Sequence, residues 1–345
     1  MQPLPFTRRD FLKLSASGML GAMLAELGLG RASAAALTQG RMTISGMALY
    51  EEPAFQARKL QAFGRDQILA ITGEVTGEAG NPFNSAWYEI NGQGYTYSGW
   101  VQPVASVFHR PEFDVPAGGR RLGEITVPFS ITRLQPSVWA KNGYRAYYST
   151  THWVTEVTAN AQEKSIWYKI YDEKLQASFF VDSADMRLVP PEELAALSPE
   201  VDEARKHIHV DTATQSVTAF EDEKAVLVAR CSTGGKFSKT PLGRFQTYHK
   251  GPSIHMTNDG PPDAAHGYDL PGVPWVSFFT GTGVGFHGTY WHNNYGSPRS
   301  HGCVNLTPEA AKFLYRWSQP VVPPETAYLH LPGTGTRVEV VSSNA

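Results

Sequence analysis

The strongest constraint on the fold is a repeated run of aromatic and polar residues. Trp-Tyr-Glu-Ile at residues 87–90 recurs as Trp-Tyr-Lys-Ile at residues 167–170, 80 positions later. Such alternation is typical of strands that bury one face. The chain also contains 32 glycines and 24 prolines, which favours short strands and turns over long helices. We therefore predict a mainly β protein whose N-terminal part contains two related modules.

We place the two N-terminal modules at residues 41–105 and 123–190, separated by a stretch rich in proline and glycine. In the first copy the run Tyr97-Ser98-Gly99-Trp100-Val101 follows, and W-Y-x-I with G-W-V resembles bacterial Src-homology-3-like barrels. The second copy has lost the G-W-V, so we regard it as a degenerate barrel repeat. In small barrels, tryptophans pack the core or bind the cell wall, and both interpretations stay open here.

The N-terminus predicts a targeting segment. Thr7-Arg8-Arg9-Asp10-Phe11-Leu12-Lys13 resembles the twin-arginine export motif, and an apolar stretch and Ala32-Ser33-Ala34, a cleavage-site pattern, follow. The stretch is short, rich in glycine and interrupted by Glu26, so it makes a poor membrane-spanning helix. We expect residues 1–34 to be a signal peptide and the protein to act in the periplasm or the extracytoplasmic cell wall. An amphipathic N-terminal helix is the alternative.

The C-terminal part predicts a further β module at residues 206–343, after an acidic linker at residues 191–205. Its first strands are expected at Lys206–Asp211, Ser216–Glu221 and Ala225–Cys231, which are separated by tight polar turns. One helix is expected after residue 306. Thr307 is its N-cap, Pro308 lies in its first turn and Pro320 ends it. Its apolar residues, at helical spacing, are Ala310, Phe313, Leu314 and Trp317.

One cysteine lies among histidine, serine, glycine and asparagine. The chain reads His287-Gly288-Thr289 and then Arg299-Ser300-His301-Gly302-Cys303-Val304-Asn305-Leu306. A thiol attacks a carbonyl as the thiolate, so it needs an imidazole that takes its proton and N–H groups that stabilise the oxyanion. We therefore predict that Cys303 is the nucleophile of an acyl-transfer site.

The run S-H-G-C-V-N-L with an upstream H-G-T resembles the signature of the L,D-transpeptidases, the YkuD-like cysteine enzymes of bacterial cell walls. The resemblance implies a YkuD-like β-sandwich with a short helix after Cys303. It implies that His287 is the general base and that the Gly288 carbonyl orients the second ring nitrogen of this histidine. It also implies that the substrates are peptidoglycan tetrapeptide stems, that D-alanine is released, and that carbapenem-type β-lactams are inhibitors. A second stem, a free amino acid or water stays open as the acyl acceptor.

The other residues of the cluster receive supporting roles. The N–H groups of Gly302 and Cys303 are the candidate oxyanion hole. His301 is an alternative base, although we favour a role in the loop or the pocket wall. Arg299 either binds a stem carboxylate or is an ordinary solvated arginine. The residues expected to support the loop or the substrate are Ser300, His301, Asn305 and Arg299.

Three further expectations concern metals, partners and the second cysteine. Six of the eleven histidines lie within residues 249–301, which raises the alternative of a zinc peptidase. No H-E-x-x-H or C-x-x-C occurs, so we expect no metal and no cofactor. The net charge of −2 gives no basic surface for nucleic acid. We expect a monomer; a non-catalytic wall-binding protein is the remaining alternative.

Two features concern the surroundings of the thiol. Gly251–Pro274 is rich in Gly, Pro, Asn and Asp, which predicts a long loop that is either a functional lid or a flexible excursion. Cys231 ends a predicted strand, so we expect it to be buried and unreactive. A disulfide with Cys303 is the alternative, but it would disable the nucleophile.

Overall fold

The first N-terminal module forms one seven-stranded sheet. The computed structural model describes residues 39–258 and 267–343, so the predicted signal peptide lies outside the described residues. The strand order in this sheet is β3-β2-β6-β5-β4-β1-β7. Its strands are β1 Gln39–Met42, β2 Met47–Tyr50, β3 Lys59–Phe63, β4 Ile68–Asn81, β5 Asn84–Ile90, β6 Gly94–Tyr97 and β7 Val101–Val104.

The second module repeats the topology of the first. Its order, β10-β9-β13-β12-β11-β8-β14, matches that of the first module strand for strand, because β8 takes the place of β1 and so on to β14. The two sheets therefore share one topology, while their assignment as Src-homology-3-like barrels stays a prediction. Its strands are β8 Arg121–Ile125, β9 Phe129–Arg133, β10 Asn142–Tyr147, β11 Thr151–Asn160, β12 Ser165–Asp172, β13 Ala177–Asp182 and β14 Met186–Leu188.

The repeated tryptophans lie in the cores of these modules. Trp87 on β5 has no exposed surface, and Trp167 on β12 is 2% exposed. Trp87 packs edge-on against Tyr50 and Tyr97 at centroid distances of 5.6 and 5.8 Å. Of the two interpretations for these tryptophans, core packing is the one that the structure supports.

The C-terminal module contains two five-stranded sheets. The first has the order β17-β16-β15-β24-β18 and the second β22-β21-β20-β19-β23. In the first sheet the strands are β15 Lys206–Asp211, β16 Ser216–Glu221, β17 Lys224–Arg230, β18 Gly243–Gln246 and β24 Arg337–Val341. In the second they are β19 His249–Thr257, β20 Asp269–Phe278, β21 Gly285–Gly288, β22 Val304–Leu306 and β23 Leu329–His330. The prediction of a mainly β, YkuD-like module is confirmed, and its first three strands lie within one residue of their expected positions.

The predicted helix is present as α1, Pro308–Trp317. The Thr307 hydroxyl accepts a hydrogen bond from the Ala310 N–H at 3.3 Å, which satisfies one of the free donors of the first turn. Phe313 and Leu314 are buried on the face that packs against β20 and β21. This packing supports the two strands that carry the site described below.

The predicted lid is wrong for most of its length. Gly251–Thr257 belongs to β19 and Asp269–Pro274 to β20, which pair in antiparallel fashion. The glycines and prolines of this stretch accommodate an irregular ladder, because the register shifts between Ile254 and Met256 and Gly272 has a φ of +67°. Residues 259–266, between the two strands in the sequence, lie outside the described residues.

The predicted linker packs against the C-terminal module. Residues 191–205 contain two short 3-10 turns, Pro191–Glu193 and Glu203–Arg205. The Arg316 guanidinium on α1 donates to the carbonyls of Ala195 and Glu192 at 2.8 and 3.0 Å. Among the described residues, no helix has the length and apolar character needed to cross a membrane.

Candidate active site

Parallel strand pairing brings the two predicted catalytic residues together. In the pair of β21 with β22, Phe286 lies opposite Val304 and His287 lies opposite Asn305. Cys303 immediately precedes β22, and its Sγ accepts a hydrogen bond from the Gly285 N–H at the start of β21. Neighbouring strands lie about 4.8 Å apart. Residues that are 16 positions apart in the sequence therefore become neighbours in the sheet.

The His287 ring is held in one tautomer by a backbone carbonyl of its own strand. Its ring is 2% exposed, and Nδ1 lies 3.1 Å from the Gly288 carbonyl oxygen. A carbonyl only accepts, so Nδ1 carries the hydrogen and Nε2 keeps a free lone pair. Burial lowers the pKa of His287 to about 4. The imidazole is therefore uncharged near neutral pH and able to accept a proton at Nε2.

The Cys303 thiol is also uncharged at rest. Burial raises its pKa to about 11, and the hydrogen bond from the Gly285 N–H opposes that rise only in part. The thiol faces the Gly283 carbonyl oxygen, with Sγ 3.6 Å from it. The hydrogen bonds within the described residues include none between Sγ and the His287 ring. In this arrangement the thiol therefore donates to the Gly283 carbonyl and not to Nε2 of His287.

The turn before the cysteine is fixed by Ser300, Gly302 and Thr240. Ser300 Oγ accepts from the Gly302 N–H at 3.0 Å and donates to the Cys303 carbonyl. Thr240 Oγ1 donates to the Gly302 carbonyl at 2.7 Å. Gly302 has a φ of +117°, a conformation that residues with a Cβ rarely adopt. The Ser300 hydroxyl therefore joins both ends of this turn, and the backbone conformation favours glycine at position 302.

The same turn corrects the predicted oxyanion hole. The Gly302 N–H is already donated to Ser300 Oγ, so it is not available to a substrate oxygen in this arrangement. The Cys303 N–H has no acceptor among the described residues. Of the two predicted donors, only Cys303 presents an open N–H group beside its own sulfur.

A second segment, Ser232–Gly235, runs beside the catalytic turn. Ser232 and Asn305 exchange two backbone hydrogen bonds of 2.9 Å, and the Gly235 N–H donates to the Ser300 carbonyl at 2.9 Å. The Thr233 carbonyl accepts from the N–H groups of Arg299 and Ser300. This segment fixes the backbone on both sides of Cys303.

Asn305 supports the loop through its backbone, and its side chain contacts a histidine that the sequence did not single out. Asn305 Nδ2 donates to His292 Nε2 at 3.0 Å. His292 is 5% exposed, and burial lowers its pKa to about 3. In the sequence His292 was one of several clustered histidines, because its contact with Asn305 arises only in the folded chain.

Arg299 and His301 lie at the exposed side of the turn. Arg299 has no carboxylate within 4 Å among the described residues, although its backbone is held by Thr233. The His301 ring stacks obliquely on Tyr268 at a centroid distance of 5.3 Å. His301 therefore lines the outer wall of the site, whereas His287 occupies the buried position expected of a base.

The remaining cysteine and histidines lie away from the reacting atoms. Cys231 has no exposed surface, burial raises its pKa, and both cysteines are free thiols. His255 bridges Asp172 of the second module and Asp269 on β20. His266 lies outside the described residues. In the described ranges no three His, Cys, Asp or Glu residues are grouped so that they could hold a metal ion.

Comparison with known families places this site in a recognised domain. The model of the YkuD family, described as the L,D-transpeptidase catalytic domain, matches residues 205–340. The predicted YkuD-like domain is therefore confirmed for this part of the chain. The predicted Src-homology-3-like repeats and twin-arginine signal are not matched and stay predictions. A search of curated proteins found no match.

Solved structures with similarity to the chain include several L,D-transpeptidases. One from Mycobacterium smegmatis is 18% identical, with 54% of this chain and 81% of that chain covered and a TM-score of 0.33. The catalytic domain of the Enterococcus faecium enzyme is 27% identical, with 39% and 95% covered and a TM-score of 0.31. The same domain acylated by ertapenem gives 27% identity, 39% and 96% coverage, and a TM-score of 0.31.

Proposed function

We propose that this protein is an L,D-transpeptidase that acts on peptidoglycan stem peptides through a thioester at Cys303. The observation that carries the proposal is a neutral His287, with its Nδ1–H directed at the Gly288 carbonyl, on the strand next to Cys303. This arrangement lies within the residues that match the L,D-transpeptidase catalytic domain. The residues alone support acyl transfer, and the family match supplies the substrate class.

In the first half-reaction Cys303 attacks the carbonyl of the L-centre that precedes the terminal D-alanine of a tetrapeptide stem. The S–C bond forms as His287 Nε2 takes the thiol proton, and the Cys303 N–H stabilises the oxyanion. Collapse breaks the amide bond, and the departing D-alanine amine takes the proton from His287. The acyl group then remains on Cys303 as a thioester.

In the second half-reaction an acceptor resolves the thioester. The amine of a second stem or a free amino acid attacks the carbonyl, gives a proton to His287 Nε2 and forms a new amide, while the proton passes to the departing Cys303 sulfur. Water in place of the amine gives a tripeptide stem. Arg299 has no ion-pair partner among the described residues and lies at the open side of the turn, so we assign it to a carboxylate of the stem.

The test uses the full chain and tetrapeptide-rich sacculi, with products identified by muropeptide mass spectrometry. Cross-links, trimmed tripeptides and exchanged D-amino acids distinguish the three acceptors. Cys303→Ala should abolish all products, and Cys231→Ala, which removes the buried second thiol, should retain them. Full turnover by Cys303→Ala would refute the proposal, whereas binding of the wild-type protein to sacculi without any product would support the wall-binding alternative.

Carbapenems provide a second test of the same nucleophile. Attack of Cys303 on the lactam carbonyl forms an S–C bond, breaks the C–N bond and leaves the proton on nitrogen, so the adduct retains the whole drug mass. Intact-protein mass spectrometry should show one adduct in the wild type and in Cys231→Ala, and none in Cys303→Ala. An adduct on a residue other than Cys303 would contradict the assignment.

We also propose export by the twin-arginine route to the periplasm or the extracytoplasmic wall. The support is the motif Arg8-Arg9 with its apolar stretch and cleavage-site pattern. Replacement of both arginines by lysine should block export, so that cell fractionation finds the variant in the cytoplasm. Unchanged export of that variant would refute the route.

A further inference from the structure

Three buried polar side chains connect the first N-terminal module to the catalytic module. Asn294 Oδ1 accepts from Asn81 Nδ2 and from the Tyr97 hydroxyl, each at 2.8 Å. Asn81, Tyr97 and Asn294 are 9%, 2% and 8% exposed. The contact joins positions that are about two hundred residues apart in the chain, and all described residues belong to one compact unit. A fully satisfied buried polar network of this kind specifies one relative position of the parts that it joins.

Asn294 belongs to the connecting segment, which we define as residues 289–299, between His287 and the turn that contains Cys303. The segment approaches the first module closely at Gly99, where an added Cβ would lie 2.6 Å from Asn294 Oδ1. The Asn293 N–H also donates to the Gly99 carbonyl at 3.4 Å. Glycine at this position therefore permits the contact between the two modules.

A second contact lies nearer to the catalytic base. The Arg41 guanidinium, on β1 of the first module and 1% exposed, donates to the carbonyl of Tyr290. Arg41 is itself fixed by an ion pair with Asp66 at 2.6 Å and lies over the Tyr147 ring, 4.2 Å from its centroid. Tyr290 follows His287 by three residues, so this contact restrains the chain directly after the base.

From Asn294 a continuous set of hydrogen bonds leads to the nucleophile. The Asn294 carbonyl accepts from Ser232 Oγ at 3.2 Å. Ser232 exchanges two backbone hydrogen bonds with Asn305, which is two residues from Cys303. The Asn305 amide also holds His292, which lies on the connecting segment itself. The position of Cys303 is thus linked to the first module by groups that are all buried.

We propose that the first N-terminal module is part of the active-site scaffold, and that Asn81 and Tyr97 are positioning residues for the Cys303 turn. The proposal rests on the proposed function for its assay, although its geometry does not depend on the substrate. Neither residue touches the reacting atoms; both act through Asn294. Loss of their hydrogen bonds should let the connecting segment shift, which changes the alignment of Cys303 with His287.

The test compares two Tyr→Phe variants of the full chain. Tyr97→Phe removes the hydroxyl that binds Asn294. Tyr168→Phe is the matched control, because Tyr168 is also buried and its hydroxyl accepts from the Glu112 N–H at 2.8 Å within the N-terminal half. We measure acylation of Cys303 by p-nitrophenyl acetate, which needs His287, and alkylation by iodoacetamide, which does not.

Tyr97→Phe should slow acylation about tenfold, because misalignment of about 1 Å can cost up to a hundredfold in rate. Alkylation should change less than twofold, and Tyr168→Phe should keep both rates. On tetrapeptide stems, Tyr97→Phe should lower kcat more than it changes KM. Equal acylation rates in the two variants, or a parallel loss of alkylation in Tyr97→Phe, would overturn the proposal.

A second pair of variants approaches the same contact from the backbone. Gly99→Ala places a methyl group against Asn294 and should reproduce the loss of acylation. Gly64→Ala lies in the same module, where no atom is within 4 Å of an added Cβ, and should have no effect. If the wild type failed to process stems while these acylation differences held, the proposed function would fail and the positioning role would stand.

Discussion

The charge state of the resting catalytic pair can be tested by the reactivity of Cys303 as a function of pH. Burial raises the pKa of this thiol to about 11 and lowers the pKa of His287 to about 4. At pH 7, four units below about 11, about one thiol in ten thousand is ionised. A thiol with an ordinary pKa near 8.5 would be about 3% ionised, so we expect Cys303 to react about 300-fold more slowly.

The assay is alkylation by iodoacetamide, followed by intact-protein mass spectrometry. It uses the Cys231→Ala variant, in which Cys303 is the one remaining thiol. The rate constant should rise about tenfold per pH unit from pH 6 to pH 10, because only the thiolate reacts. His287→Gln should keep this profile, since no imidazolium stabilises the resting thiolate. The same variant should lose at least about a hundredfold in carbapenem acylation, where the base is needed. If the alkylation rate constant instead reached a plateau with a midpoint below pH 7, the resting pair would be imidazolium and thiolate, and the assignment of a neutral pair would be refuted.

Three further predictions concern the structure around the site. Gly302→Ala should abolish acylation and lower the free energy of unfolding by about 1–3 kcal/mol in urea titration, because φ is +117° there; unchanged stability would contradict the strain. Thr307→Ala should cost about 1 kcal/mol by the same titration through loss of the cap of α1; no change would show that the cap contributes nothing. Burial opposes the charged form of His255, but the carboxylates of Asp172 and Asp269 outweigh it and raise the pKa of this histidine in the folded state. The ion pairs therefore stabilise the fold fully below pH 6.5, the pKa of an unfolded histidine, and this stabilisation is lost as the pH rises through the pKa of the folded state. His255→Gln should therefore lower Tm more at pH 5.5 than at pH 9, and an equal loss at both values would contradict this linkage.

Local patterns in the sequence were enough to predict the elements that depend on local physics. The cap at Thr307 and the apolar spacing up to Trp317 predicted the start of α1 and its buried face, because capping and periodicity act over a few positions, whereas the helix ends at Trp317, three residues before the predicted terminator Pro320. The pairing of His287 with Cys303 was implied by the resemblance of their motifs to the L,D-transpeptidase signature, and the parallel pairing of β21 with β22 that brings the two segments side by side was not predicted. Composition misled at Gly251–Pro274, where proline and glycine lie in an irregular hairpin ladder.

Contacts between distant parts of the chain could not be predicted in this way. The hydrogen bond of Asn294 with Asn81 joins residues that carry no local signal, since Asn81 is the last residue of β4 and Asn294 lies in an irregular segment about two hundred residues later. The hydrogen bond of Arg41 could not be predicted either, because its acceptor is the backbone carbonyl of Tyr290, and a backbone carbonyl is present at every residue. The commitment of the Gly302 N–H to Ser300 was also hidden, because it depends on the rotamer of the serine.

The internal repeat gives an independent reason to assign the contact with Asn294 to the first module. Trp87 pairs with Tyr97 across β5 and β6, and in the second module Trp167 pairs with Asp182 across β12 and β13. Tyr97 and Asp182 therefore occupy equivalent positions, each directly before a 3-10 turn. Asp182 uses its carboxylate to accept from the Ala184 N–H of its own turn, whereas the Tyr97 hydroxyl reaches Asn294 in the catalytic module. Because the fold is the same in both copies, the architecture of the module does not require tyrosine at this position. The contact that differs is the one with the catalytic module, so exchange of the segments Tyr97–Trp100 and Asp182–Asp185 between the two copies should keep the fold and lose acylation.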